Sequence, residues 1–150
     1  MTKRSQDTDE QGHSLYTDFG AFYPTGHIVV AFERDDDGRQ VCQELRTAGY
    51  DQGHCEIHPA EEVAKAAQGN LDNTGFMARW GKSAAAVKKH LQAAQNGATF
   101  LLVYAPKDED AERVMSAIGD KPILLAHRYH RLMIEDLRED EADTHMTSPR

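Results

Sequence analysis

The chain has 150 residues, a net charge of −8, 39% apolar and 28% charged residues, and a mean hydropathy of −0.68. That length fits a single domain, and no run approaches the roughly 20 apolar residues that a membrane-spanning helix needs. Two cysteines without a CxxC pair exclude a disulfide scaffold and a zinc ribbon.

The acidic excess sits at the ends. Residues 1–26 carry four acids and two bases, and residues 135–150 six acids and two bases, whereas residues 27–134 are close to balanced. The expected organisation is an aromatic-containing, partly disordered N-terminal arm (1–26), one globular domain (27–134) and an acidic disordered tail (135–150). Residues 1–10 are charged and lack the apolar centre of a signal peptide, so the expected location is cytoplasmic.

The first element is a strand over residues 27–33, apolar from Ile28 to Phe32 and so buried on both faces. Asp35, Asp36 and Asp37 open a helix whose inner face is Val41, Cys42, Leu45 and Ala48, and Gly49 ends it. Residues 54–58 alternate as a half-exposed strand, with Cys55 and Ile57 inward and His54, Glu56 and His58 outward. Pro59 starts a short helix over Glu61 to Gln68, closed by Gly69 and Asn70 and followed by a loop over 71–75. A longer helix over about 78–95 carries the stripe Trp80, Ala84, Val87, Leu91 and Ala94. Residues 98–105 form a second continuously apolar strand. The following helix buries Ala111, Val114, Met115 and Ile118 and stops at Gly119, and residues 122–134 form a last strand that turns irregular or helical toward Leu137.

A shift of 73 residues places Val30 on Val103, Asp37 on Asp110, Val41 on Val114 and Leu45 on Ile118. The same strand, acidic helix start, amphipathic helix and glycine stop therefore occur twice. Two such βαβ halves make a ferredoxin-like α+β fold, a four-stranded antiparallel sheet with helices on one face and extra helices between the halves. A three-layer α/β sheet is the alternative. The stretches Ile28 to Phe32, Val41 to Tyr50, Phe100 to Tyr104 and Asp108 to Val114 resemble the bacterial general-stress (heat-induced stress) protein domain over residues 27–134. That resemblance implies a stress-associated cytoplasmic domain with no assigned catalysis.

Helices on one side leave the other sheet face, with Val29, Phe100, Leu102 and Tyr104, as an apolar patch needing a cover. A homodimer joined face to face is the first expectation. Folding back of the arm segment 15–23, with its aromatics Tyr16, Phe19, Phe22 and Tyr23, is the second. Metal binding is not expected, since His54 and His58 would lie about 13 Å apart along a strand. His127 and His130, three apart, point to opposite faces. Cys42 and Cys55 read as core residues, and no nucleophile elbow, phosphate loop or other cofactor motif is present. Residues 73–107 contain no acid but do contain Lys82, Lys88 and Lys89, and Arg128 and Arg131 flank Tyr129.

Three functions follow from these features. The first is a non-enzymatic, stress-associated homodimeric association or regulatory domain, with a basic surface for an anionic ligand or partner. The second is a dimeric α+β barrel enzyme or ligand binder with a pocket between sheet and arm, served by His127, Tyr129 and Arg131. The third is single-stranded RNA binding through the basic helix and edge strand, which the net charge of −8 disfavours.

Overall fold

The two most apolar runs lie at the centre of an antiparallel sheet. The structure, a computed structural model, describes residues 15–17, 21–50 and 55–138. Its strands are β1 (His27–Phe32), β2 (Cys55–His58), β3 (Thr99–Tyr104), β4 (Ile123–Tyr129) and β5 (Ile134–Asp136), in the order β2-β3-β1-β4-β5. Every pairing is antiparallel. All six residues of β1 are buried, as expected of a strand that neighbours chain on both edges and both faces. The helices are α1 (Asp35–Thr47), α2 (Ala60–Leu71), α3 (Thr74–Trp80), α4 (Ala84–Gln95) and α5 (Asp108–Ile118).

Helices cover both faces of the sheet, not one. Ile28, Val30, Phe32, Leu101, Val103 and Ala126 pack against Val41, Cys42 and Leu45 of α1 and Ala111, Val114 and Ile118 of α5. On the opposite face Val29, Ala31, Phe100, Leu102, Leu125 and Tyr129 pack against Ala67 of α2, Phe76 and Trp80 of α3, and Val87, Ala93 and Ala94 of α4, together with Leu15, Ala21 and Tyr23. The physical reason is already in the strands. Apolar residues at both parities of β1 and β3 bury two surfaces, and each needs its own layer. Val29, Phe100 and Leu102 are therefore enclosed within the chain, and Tyr104 is half-buried.

The arm is part of that second layer. Thr17 N–H donates to Ala21 O at 2.8 Å and Tyr23 N–H to Leu15 O at 2.9 Å, a small antiparallel turn. Asn70 holds it from α2, accepting from Phe22 N–H at 2.9 Å and donating to Phe22 O at 2.7 Å. Asn70 thus lies inside a helix that runs on to Leu71, where a stop was expected. Tyr23 stacks on Trp80 with centroids 4.1 Å apart, and its hydroxyl donates to His130 O at 2.5 Å. Phe19 and residues 1–14 and 139–150 lie outside the described residues.

Two expected elements divide. The helix expected over 78–95 is α3 and α4 joined by a 3-10 turn, Gly81–Ser83. Asn73 caps α3 by accepting from Phe76 N–H at 3.0 Å, so helix begins where a loop was expected. The last strand, expected through Ile134, ends at Tyr129. The chain reverses there, with His130 N–H on Met133 O at 2.9 Å, and returns as β5, whose Ile134 N–H donates to Ser83 Oγ at 3.1 Å. The sheet accordingly has five strands, and Glu135 and Asp136, expected in a disordered tail, belong to the fifth.

Candidate functional site

Alternation along β4 points Leu125, His127 and Tyr129 toward α4. Arg131, expected to share that face, lies beyond the strand end and is exposed, its carbonyl accepting from Trp80 Nε1–H at 3.1 Å. His90 of α4 takes its place. His90 Nε2 lies 2.9 Å from His127 Nδ1, and His90 Nδ1 lies 3.3 Å from Tyr129 Oη. His127 Nε2 stands 3.5 Å from Asp136 Oδ2 on β5, long for a hydrogen bond. His127 is 0% exposed.

One set of proton positions serves all of these contacts. His127 Nε2 makes no hydrogen bond among the described residues; a carboxylate only accepts, so the Asp136 oxygen nearby favours the tautomer with the proton on Nε2, which leaves Nδ1 as the acceptor. His90 must then donate from Nε2, which leaves Nδ1 to accept the Tyr129 hydroxyl. The hydrogen-bonded chain Tyr129 to His90 to His127 then runs in one direction with both rings neutral. Burial, and then the His127 charge, hold the His90 pKa well below the ordinary range. Burial lowers that of His127 against the opposite pull of Asp136. Tyr129 is pushed up by burial, so no member of the buried chain is charged near neutral pH.

Beside the end of that chain, Asp136 meets solvent. A cavity of about 450 Å³ is lined by Lys89, Gln92, Ala93 and Asn96 of α4, Leu124 and Leu125 of β4, and Asp136 and Arg138, within the size range of small-ligand sites. The helix contributes positions i, i+3, i+4 and i+7, one face. Lys89 Nζ is 3.4 Å from Asp136 Oδ2. Arg138 donates from Nη1 to Ile123 O at 2.7 Å and from its backbone N–H to Asp136 Oδ1 at 3.0 Å. Among the described lining residues two cations, Lys89 and Arg138, face one carboxylate, Asp136. The pocket was expected between sheet and arm. That space is instead filled by Phe22, Tyr23, Phe76, Trp80 and Tyr129 in mutual ring contact.

The remaining expected site residues scatter. Arg128 is buried and clamps the β3–α5 turn, donating to Asp108 Oδ1 at 2.8 Å and Pro106 O at 2.9 Å. The guanidinium holds the Asp108 carboxyl below its ordinary range. Lys82 and Lys88 are exposed. Tyr129 and Phe100 are buried and Tyr104 is half-buried. His58 bonds to Glu62 at 2.6 Å and Glu56 at 3.1 Å. Cys55 is hydrogen-bonded to Cys42, and that contact and burial push its thiol up, as suits core residues.

Sequence reading missed His90 and Asn70. For His90 a signal existed, since it follows Val87 by three and precedes Ala94 by four, a buried position on the same face. For Asn70 there was none, because its partner is 48 residues away. No family model matches the chain, and no curated protein or solved structure matches it.

Proposed function

We propose that this chain is a small-ligand-binding domain that holds an anionic molecule of metabolite size between α4, β4 and β5. One observation carries this reading. A fully buried histidine stands 3.5 Å from Asp136 in the wall of a cavity of about 450 Å³ whose described lining carries two cations, Lys89 and Arg138, against that one carboxylate. A tautomer-locked polar chain ending beside a cavity wall fixes that wall's geometry, which is what a specific binding site requires. Both histidines are enclosed within the relay, which supports binding over catalysis.

The proposed frame is a ferredoxin-like duplication, β1-α1-β2 and β3-α5-β4, with α2 to α4 inserted between the halves as a second layer. The strand order β2-β3-β1-β4 and the side-by-side packing of α1 and α5 support it. A cytoplasmic, stress-associated role, implied by the resemblance over residues 27–134, accords with a domain that responds to a small molecule. Association through the sheet face has lost its motive, since that face is covered within the chain.

Thermal unfolding of the full chain against a panel of small carboxylates and phosphates tests the reading. At least one should raise the melting temperature in proportion to the logarithm of its concentration. Arg138→Ala should abolish that rise, while Lys82→Ala, outside the cavity, should leave it. A panel without effect on the natural chain refutes ligand binding here.

A further inference from the structure

The two cysteines of the chain are free and buried, Cys42 4% and Cys55 7% exposed. Local geometry sets them against each other. α1 lies close over β2, since a Cβ on Gly38 would stand 3.2 Å from Ile57 Cδ1. Cys42 follows Gly38 by one helical turn, on the same face and about 6 Å further along. Cys55 precedes Ile57 by two residues, on the same side of the strand and about 6.6 Å away. Because β1 and β2 both run antiparallel to β3, the helix between them returns against their direction, and the two steps lead the same way. The next rung of the α1–β2 contact is therefore cysteine against cysteine, and the two thiols are hydrogen-bonded. We infer that Cys42 and Cys55 are a reversible dithiol pair, oxidised by a hydroperoxide or a small disulfide to a bond that ties α1 to β2.

A sulfenic acid on a single buried cysteine has no thiol to condense with, whereas here the second thiol already touches the first. One sulfur attacks the peroxide, an S–O bond forms as the O–O bond breaks, and with hydrogen peroxide the other oxygen leaves as water. The second sulfur then attacks the sulfenic acid, the S–S bond forms as the S–O bond breaks, and a second water leaves. Two thiols and one peroxide give one disulfide and two waters; each sulfur gives up one electron and the peroxide takes both. Thiols in hydrogen-bond contact need only side-chain rotation to reach the bonding distance of about 2.05 Å. Both belong to the layer under α1 and α5, but β2 is the edge strand of the sheet. The pair thus lies at the margin of that layer, where a water-sized oxidant has the shortest way in. Burial and the contact with Cys42 keep the Cys55 thiol protonated. That slows the first step and leaves the end point where it is.

Oxidation of the full chain, followed to equilibrium, tests this. With hydrogen peroxide, trypsin should release residues 40–46 and 47–65, which hold one cysteine each, joined and lighter by two hydrogens than their sum, and dithiothreitol should separate them. In glutathione buffers the folded chain should form this link with an equilibrium constant about tenfold or more above that of the same chain unfolded in urea, where nothing but chain length holds the sulfurs together. Equal constants in the two states would overturn the inference, since the fold would then add nothing to the pairing. Sulfinic or sulfonic acids without the link, links only between chains, or glutathione adducts alone would overturn it too. So would thiols left unreacted by both oxidants, because the pair would then be inert core.

Discussion

Asn70 shows how much one side chain can hold. Its amide makes two hydrogen bonds to the backbone of Phe22, at 2.9 and 2.7 Å, from a position that is only 2% exposed. Alanine there would leave a backbone N–H and C=O of the arm without these partners, and each such loss costs about 1–3 kcal/mol when water cannot substitute. Phe22 is half-buried, so the expected cost of Asn70→Ala is about 2 kcal/mol, read as a fall in the urea midpoint followed by Trp80 fluorescence. An unchanged midpoint would mean that the arm does not depend on this clamp. Local pattern marks Gly69 and Asn70 as a helix end because those residue types usually are one. The side chain's obligation to Phe22, imposed from far along the chain, keeps the helix going. Gly26 is the opposite case, legible from Pro24-Thr25-Gly26 alone. It sits at φ +84°, and a Cβ there would come within 2.8 Å of the Tyr104 ring.

At the scale of elements, strands were legible by composition and most helix-face positions by spacing. Val41, Cys42 and Leu45 of α1 and Ala111, Val114 and Ile118 of α5 are buried as their spacing requires, whereas Ala48, expected on the α1 inner face, is exposed and Met115 of α5 is half-buried. The stripe drawn from Trp80 through Ala94 crosses the Gly81–Ser83 turn and keeps Trp80, Val87 and Ala94 buried, with His90 and Ala93 completing that face and Leu91 only half-buried beside it. That face creates a pH dependence between α4 and β4. His90 and His127 have folded-state pKa values below their unfolded value of about 6.5. The unfolded chain therefore takes up protons that the folded chain refuses, and stability is intact above about pH 6.5 and falls below it, by up to about 1.4 kcal/mol per pH unit for each proton. His58 works the other way. Burial opposes its charge, but Glu56 and Glu62 outweigh burial and raise its pKa. Its contribution is fully present below about pH 6.5 and is lost as the pH rises through the raised value. Urea midpoints at pH 5, 6, 7 and 8 separate the two. The double variant His90→Leu with His127→Leu should flatten the acid limb, and His58→Gln should lower the midpoints at pH 5 and 6 more than that at pH 8. Parallel limbs for the natural chain and the double variant would show that the buried pair does not set this dependence.

For the whole molecule, the sequence states the problem more clearly than its solution. Strands apolar on both parities require two covering layers, but nothing local says whether helices, the arm or a second copy supplies the outer one. The helices that do so, α2 to α4, have many alanines and few large apolar residues, and their fit depends on the aromatic cluster that the arm completes. With both faces covered, the large apolar side chains left exposed among the described residues are Met77, Leu124, Leu132 and Met133. Leu132 and Met133 share the β4–β5 turn and Leu124 lines the cavity, an area well short of a standard interface. Sedimentation velocity at tens of micromolar should therefore show a monomer of 16.8 kDa. A dimer at that concentration would point to the β4–β5 turn, and Leu132→Asp would dissociate it. The arm's part as a cover makes a stronger demand. Tyr23 is 3% exposed, stacks on Trp80 and bonds to His130 O, so Tyr23→Ala should cost about 3–5 kcal/mol. It should also loosen the arm from the face carrying Phe100, Leu102 and Tyr129. An uncovered apolar face seeks another, and the variant should associate in a concentration-dependent way in light scattering, with Trp80 emission shifted to longer wavelength. A Tyr23→Ala chain that stayed monomeric and as stable as the natural one would make the arm a passenger and leave the second layer to α2, α3 and α4 alone.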